Sequence, residues 1–470
     1  MIRRSENFKT LGCDFVLQNH GAEWQFSEGF ATARRLTDEA TKGLRRPFQI
    51  VISTDRFCPL GDIIDSIILS TEGTGLLQAM HGGKPIIRFH LMLRGEHALD
   101  IIQANDSHIR RLENSGALFT VEECNSSSGI SELTNARECA LQYIRNLNKD
   151  DNPIILWLDD DLAFDALIVR DNQVHLSRPW SFFHEVWRFH ESNPEVEIGL
   201  GDVTGAPPLP ASSTLLTNLT DLESAITGSC SRNDEERWNE SDYYYDLSDQ
   251  IRSLEPWKYE NTDFNCEEIL WDLIEVGTLA RPLVVSNPSL VIQNGRYVRG
   301  GNTIIFNHEL LDKFDHPKIP RRGDSIWALT VQKNGGVLGH FPVPLRHIRD
   351  IRNANWSPQN AQQNWLRRLE VDLVGASFQR WYANTDSTVT PEEILVERCE
   401  RQLRVFNSCL SRLDNLPPEI SSVMREYIQS GIGRTTKLRN NPSVFSAYHQ
   451  CVNSNTIHAP EYNRKESVIV

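Results

Sequence analysis

The stretch Pro153-Ile154-Ile155-Leu156-Trp157-Leu158-Asp159-Asp160-Asp161-Leu162 constrains the fold more than any other. An unbroken apolar run of this length, bounded by polar residues, predicts a strand buried on both faces of a parallel sheet. Three carboxylates follow where that strand must end. In open α/β sheets ligands bind beyond the carboxyl ends of the strands. Three adjacent negative charges there repel one another and require a positive partner. The economical one is a divalent cation with hard oxygen ligands, Mg²⁺ or Mn²⁺, carrying a phosphorylated substrate.

Segments flanking this strand repeat a β-then-α pattern. Phe48–Ser53 is a β-branched apolar run, followed by helical spacing of Ile63, Ile64, Ile67 and Ile68 after Asp62. Pro85–Leu91 and Ala117–Val121 read as strands, and residues 97–115 and 131–147 as helices with Leu99, Ile102, Ile109, Leu112 and Leu133, Ala140, Ile144 on their apolar stripes. This alternation predicts an α/β fold built on a mostly parallel sheet with helices on both faces. Residues 180–190 read as a further amphipathic helix and 198–201 as a strand. Composition then shifts at Gly205-Ala206-Pro207-Pro208, and acidic residues dominate from 233 to 275, so 205–280 is expected to be an insertion or mobile lid. Strands are expected again at 283–285, 290–292 and 303–306, amid basic residues (Arg296, Arg299, Lys313, Lys318, Arg321, Arg322).

Beyond residue 350 the pattern is helical only. Thr390-Pro391-Glu392-Glu393 has the form of a capping box with Pro in the first turn. The chain thus divides into an N-terminal extension (1–46), with a helix expected over 28–44, a central α/β domain (47–350) and a helical C-terminal region (351–470). That last region is expected to form a homodimer, dock a partner or shape the acceptor site.

Composition excludes several classes of function. A net charge of −15 argues against a general nucleic-acid binder. No apolar run is long enough to span a bilayer, and no apolar segment follows Arg3-Arg4, so a cytoplasmic chain, at most peripheral to a membrane, is expected. The nine cysteines include no CxxC pair and read as reduced thiols.

At the level of motifs the region 47–350 resembles a family-2-type glycosyltransferase with the GT-A (nucleotide-diphospho-sugar transferase) fold. The resemblance rests on Ile50-Val51-Ile52-Ser53-Thr54-Asp55-Arg56, on Ala136-Arg137 in the helix before the acidic strand, on the leucine-flanked Asp159-Asp160-Asp161, on Gly300-Gly301-Asn302, and on Asp324 in Arg322-Gly323-Asp324-Ser325. It departs from the family pattern twice: Glu138 stands where Asn follows Arg, and Gly323 stands where Glu precedes the final Asp.

The resemblance implies that Ser53, Thr54 and Arg56 line the nucleotide pocket, and that Arg137, Asp159, Asp160, Gly301 and Asn302 meet the donor. It implies that Asp159 and Asp161 bind Mn²⁺ or Mg²⁺ with a downstream histidine, His347 or else His340, and that Asp324 is the general base. The expected reaction moves a sugar from a nucleotide-sugar donor to the hydroxyl of an acceptor (a glycan, lipid-linked sugar or small molecule) with inversion. Competing readings are an impaired sugar-nucleotide-binding regulator, motivated by the two departures, a nucleotidyltransferase, and a phosphohydrolase of the haloacid dehalogenase type. The last lacks its usual Gly-Thr after the second Asp.

Overall fold

The computed structural model describes residues 9–10, 14–17, 24–27, 46–54, 60–71, 75–94, 98–124, 132–147, 151–170, 173–177, 182–205, 211–228, 265–277, 303–319, 322–348, 356–384, 388–441, 443–446 and 448–449. The expected helix at 28–44 and strands at 283–285 and 290–292 lie outside them.

An eight-stranded, mostly parallel sheet organises the chain. Its strands are β1 (Phe48–Thr54), β2 (Ile87–Arg94), β3 (Leu118–Cys124), β4 (Ile154–Leu158), β5 (Leu162–Ala163), β6 (Val196–Gly205), β7 (Thr303–Asn307) and β8 (Val337–His347), in the order β3-β2-β1-β4-β7-β6-β8-β5. β1, β2, β3 and β4 pair in parallel, as do β6 and β8. β7 runs antiparallel between β4 and β6, and β5 antiparallel to β8.

Alternation along β4 decides what each face packs against. Ile154, Leu156 and Leu158 point into a core shared with helices α1 (Gly61–Thr71), α2 (Ala98–Asn114) and α4 (Phe182–Ser192). Ile155 and Trp157 point the other way, against α3 (Glu132–Asn146) and α7 (Gly323–Lys333). Every residue of β4 is buried, as the apolar run required.

A third core belongs to the helices. It gathers α5 (Leu215–Thr227), α6 (Cys266–Trp271, running on as a π-helical turn over Asp272–Val276), the apolar face of α7, and the C-terminal helices α8 (Pro358–Ala383), α9 (Pro391–Arg412) and α10 (Pro418–Asn440). The described parts of the segment 205–280 are therefore packed helices; the rest lies outside the described residues. Leu215, Leu219 and Leu273 are fully buried there. The capping box forms as written in the sequence: Thr390 Oγ1 accepts from the Glu393 amide at 3.2 Å, and the Glu393 carboxylate accepts from the Thr390 amide at 2.8 Å. Among the described residues no helix is long and apolar enough to cross a membrane, and the described cysteines Cys139, Cys266, Cys399 and Cys409 are free thiols.

Three buried histidines make the fold acid-sensitive. His90 donates from Nε2 to the Gln49 side-chain carbonyl and accepts at Nδ1 from Tyr143 Oη (2.9 Å) and Thr120 Oγ1 (2.7 Å). That tautomer has no room for a second ring proton. Burial first, then a neighbouring arginine, pushes His90, His190 and His316 down to about 3. The unfolded chain takes up these protons near the ordinary 6.5. Stability is thus fully present above that pH and declines as pH falls toward 3, at ~1.4 kcal/mol per histidine per pH unit. In denaturant unfolding the three histidines together are expected to lower stability by about 4 kcal/mol between pH 7.5 and 5.5. The buried Asp159 carboxyl opposes this in part, because it is pushed up to about 7 and takes up its proton in the folded state first. Equal stabilities would contradict the neutral, buried assignment.

Candidate active site

The carboxyl ends of β1, β4 and β8 and the first turn of α7 converge on the acidic triplet. Backbone pairing sets this geometry. β4 ends at Leu158, the chain turns through Asp159–Asp161, and β5 pairs at once with the end of β8 (Leu162 with His347, Ala163 with Arg346). The Ile348 amide donates to the Asp161 carbonyl at 2.7 Å. Arg346 clamps Asp165 with two hydrogen bonds, of 2.5 and 2.9 Å. The triplet is therefore a short turn stitched at its far side to the last long strand.

Each carboxylate of the triplet has a different role. Asp160 is buried and accepts from Thr54 Oγ1 at 2.6 Å, so these two residues tie the loops after β1 and β4 together. Asp161 meets His347, with Oδ2 and Nε2 3.1 Å apart and both side chains largely buried. Asp159 shares its surroundings with Arg137, Asp161, Asp324 and Asp160. Burial above all pushes its carboxyl up to about 7; Arg137 opposes this, and the other three carboxylates add to it.

Arg137 is the cation at the centre. It projects from α3, its guanidinium 3.6 Å from Asp324 Oδ1 and 6.0 Å from the centre of the Trp157 ring. Trp157 comes from the apolar run itself, on the face opposite Leu156 and Leu158. One arginine thus faces carboxylates from two separate parts of the chain, which fixes the orientation of Asp324 without burying it completely.

Glu138 and Gly323 each have a local structural role. Glu138, one residue after Arg137, pairs with Lys318. Arg145, on the same helix, pairs with Asp315. These contacts draw the segment Phe314–Ile319 across the site. Its His316 ring stands edge-on to both Trp157 and Trp327, with centroids 5.2 and 5.5 Å away. A Cβ on Gly323 would lie 2.7 Å from His316 Cε1 and 3.5 Å from the Arg137 guanidinium. Residue 323 is glycine because the imidazole fills the space a side chain would take. Gly323→Ala is expected to cost about 2 kcal/mol by overpacking, and most of that increment should vanish when His316 is also alanine. Additive losses in denaturant melts would show that the two do not compete for space.

Arg322 carries the local strain. It precedes α7 with φ 65° and ψ 20°, the left-handed region that costs a residue with a Cβ roughly 1–2 kcal/mol. Its guanidinium reaches Asp372 Oδ1 on α8 at 3.3 Å, with both side chains buried.

Neither a protein-family model nor a curated protein matches this chain. The site is thus known by its geometry. Of the residues expected from sequence, Thr54, Arg137, Asp159, Asp160, Asp161, Asp324 and His347 come together, with the half-buried Ser53 at the end of β1. Arg56, Gly301 and Asn302 lie outside the described residues. His340 pairs through its backbone with Leu200 in mid-strand, and its side chain lies outside them too. Sequence reading missed His316 and Asp372, which belong to no motif. Arg322 and Trp157 stand in the stretches Arg322–Ser325 and Pro153–Leu162, but their contacts with Asp372 and with Arg137 carry no local signal.

Among the described residues no three His, Cys, Asp or Glu side chains are arranged as a metal cage. At the triplet the facing donor atoms are Asp161 Oδ2 and His347 Nε2, 3.1 Å apart.

Proposed function

We propose that this chain is a metal-dependent glycosyltransferase of the GT-A type, which moves a sugar from a nucleoside-diphosphate donor to an acceptor hydroxyl with inversion. The observation that carries this reading is a carboxylate, Asp324, oriented by a cation beside a separate Asp161–His347 pair, at the carboxyl edge of a mostly parallel sheet. The strand order, with its one long reversed strand β7, is compatible with that fold.

In this reading Asp324 takes the proton of the acceptor hydroxyl as its oxygen bonds to the anomeric carbon. The bond from that carbon to the diphosphate oxygen breaks, and its electron pair leaves with the nucleotide. Arg137 keeps the base carboxylate aimed. Thr54 and Asp160 hold the nucleotide-side loop against the triplet. Asp161 and His347, with Asp159 beside them, would hold Mn²⁺ or Mg²⁺, which when bound neutralises charge developing on the leaving diphosphate. One base and direct displacement give an inverted product.

The test is nucleotide release from UDP-, GDP-, CMP- and dTDP-sugars with Mn²⁺, with and without acceptors. Release from one donor, dependent on the cation, supports the transferase. Tight binding without release favours a sugar-nucleotide-binding regulator, and phosphate release from phosphomonoesters favours a hydrolase.

A further inference from the structure

We propose that Asp372, on the C-terminal helix α8, is a positioning residue for Asp324 and acts through Arg322. The inference rests on the reading of Asp324 as the general base. Three observations lead to it. Arg322 occupies the left-handed region although it carries a full side chain. Its guanidinium is held 3.3 Å from Asp372, which is almost wholly buried. The carbonyl of Arg322 accepts the first hydrogen bond of α7, from the Ile326 amide at 2.9 Å, so the φ and ψ of Arg322 set the direction in which that helix starts.

Asp324 lies in this first turn, where a small rotation of the chain changes its distance to Arg137. The far end of α7 is anchored to the same helix by different chemistry. Thr330 Oγ1 lies 3.1 Å from Tyr382 Oη, and Lys333 Nζ stacks 4.1 Å from the Tyr382 ring. α8 thus grips α7 at both ends, but only the Arg322–Asp372 grip lies beside the site.

A buried ion pair is a poor way to gain stability, since apolar replacements often do as well. It does impose one geometry on two charges that have no water to fall back on. Here the geometry imposed is a backbone conformation that an L residue avoids. The C-terminal helix α8 in this way helps to place a group that acts at the reacting atoms.

The experiment uses the full chain with Asp372→Asn, Asp372→Ala, Arg322→Gly and the double variant Arg322→Gly/Asp372→Ala. Asp372→Ala is expected to lower kcat by about 100-fold while the donor KM stays within about twofold, as misplacement of one catalytic group predicts. Glycine adopts the left-handed conformation without a clamp and leaves no buried charge. The double variant is therefore expected to recover at least about tenfold of that loss. A purely structural role would lower the unfolding temperature with no split between kcat and KM and no rescue by glycine, and would overturn the proposal.

Hydrogen exchange separates this outcome from failure of the transferase reading. If the wild-type chain releases nucleotide from no donor, the general-base reading falls, and amide exchange over 322–328 decides the positioning claim. Exchange there about tenfold faster in Asp372→Ala, with 154–163 unchanged, upholds the clamp. Unaltered exchange over 322–328 overturns it.

Discussion

Asp161→Ala is expected to lower metal-dependent nucleotide release by on the order of 10³-fold, because a cation's Lewis-acid contribution is worth several kcal/mol and each ~1.4 kcal/mol is tenfold. Asp161 is the triplet carboxylate whose oxygen lies against His347. Asp160 is committed to Thr54, and Asp159 is pushed up to about 7 by burial first of all. Asp161→Ala should also abolish any rise in melting temperature that Mn²⁺ gives the wild-type chain, since a ligand stabilises only the state that binds it. The corresponding change at Asp160 is expected to cost stability more than cation response, because it releases the tie to Thr54. A variant at 161 that keeps both turnover and the Mn²⁺ shift would move the ion elsewhere.

The second large effect is expected at Asp324. Asp324→Asn keeps the shape of the side chain and its place beside Arg137 but cannot take a proton. Turnover is expected to fall by roughly 10²- to 10⁴-fold, the usual contribution of a positioned base. Donor affinity, measured by calorimetry with Mn²⁺ and the active nucleotide-sugar, should change little. Unchanged turnover would assign proton removal to another residue. A parallel loss of donor affinity would place Asp324 in the binding of the diphosphate instead.

The sequence disclosed the sheet more readily than the site. β4 is legible because five apolar residues buried on both faces leave few alternatives, and its flanking strands follow by alternation. The reversed strand β7 was legible as a strand at 303–306 but not as an antiparallel one, since direction is set by pairing with β4 and β6 and leaves no mark on local pattern. Thr390 announced its helix because a capping box is chemistry confined to neighbouring residues.

The site divides in the same way. Asp159–Asp161 could be read because contiguous charge after a buried strand is a local signal. Arg137 and Asp324 could each be picked out, but their contact joins two helices on one face of the sheet that are far apart in sequence, and it left no local mark. His316 was invisible: its role is to occupy volume between Trp157, Trp327 and Gly323, and volume has no sequence motif. Gly323 and Glu138 looked like losses when taken singly. Together with His316 and Lys318 they form one packed arrangement around the Arg137–Asp324 pair.

The stitching of the triplet to β8 has a consequence for how the molecule matures. Four parallel strands, β1 to β4, are complete once the ribosome has passed residue 158, and they can pair without waiting for later sequence. The turn after β4 is different. Its β-pairing with Arg346 and His347, and the hydrogen bond from Ile348, exist only when nearly two hundred further residues have been made. Contacts of such sequence separation form late, because the loop they close costs entropy before it returns anything. Until then the tie from Asp160 to Thr54 can form, but Asp161 lacks its partner His347. The turn that carries the triplet is therefore completed by one of the last described strands, and a chain ended before residue 346 would lack the Asp161–His347 contact.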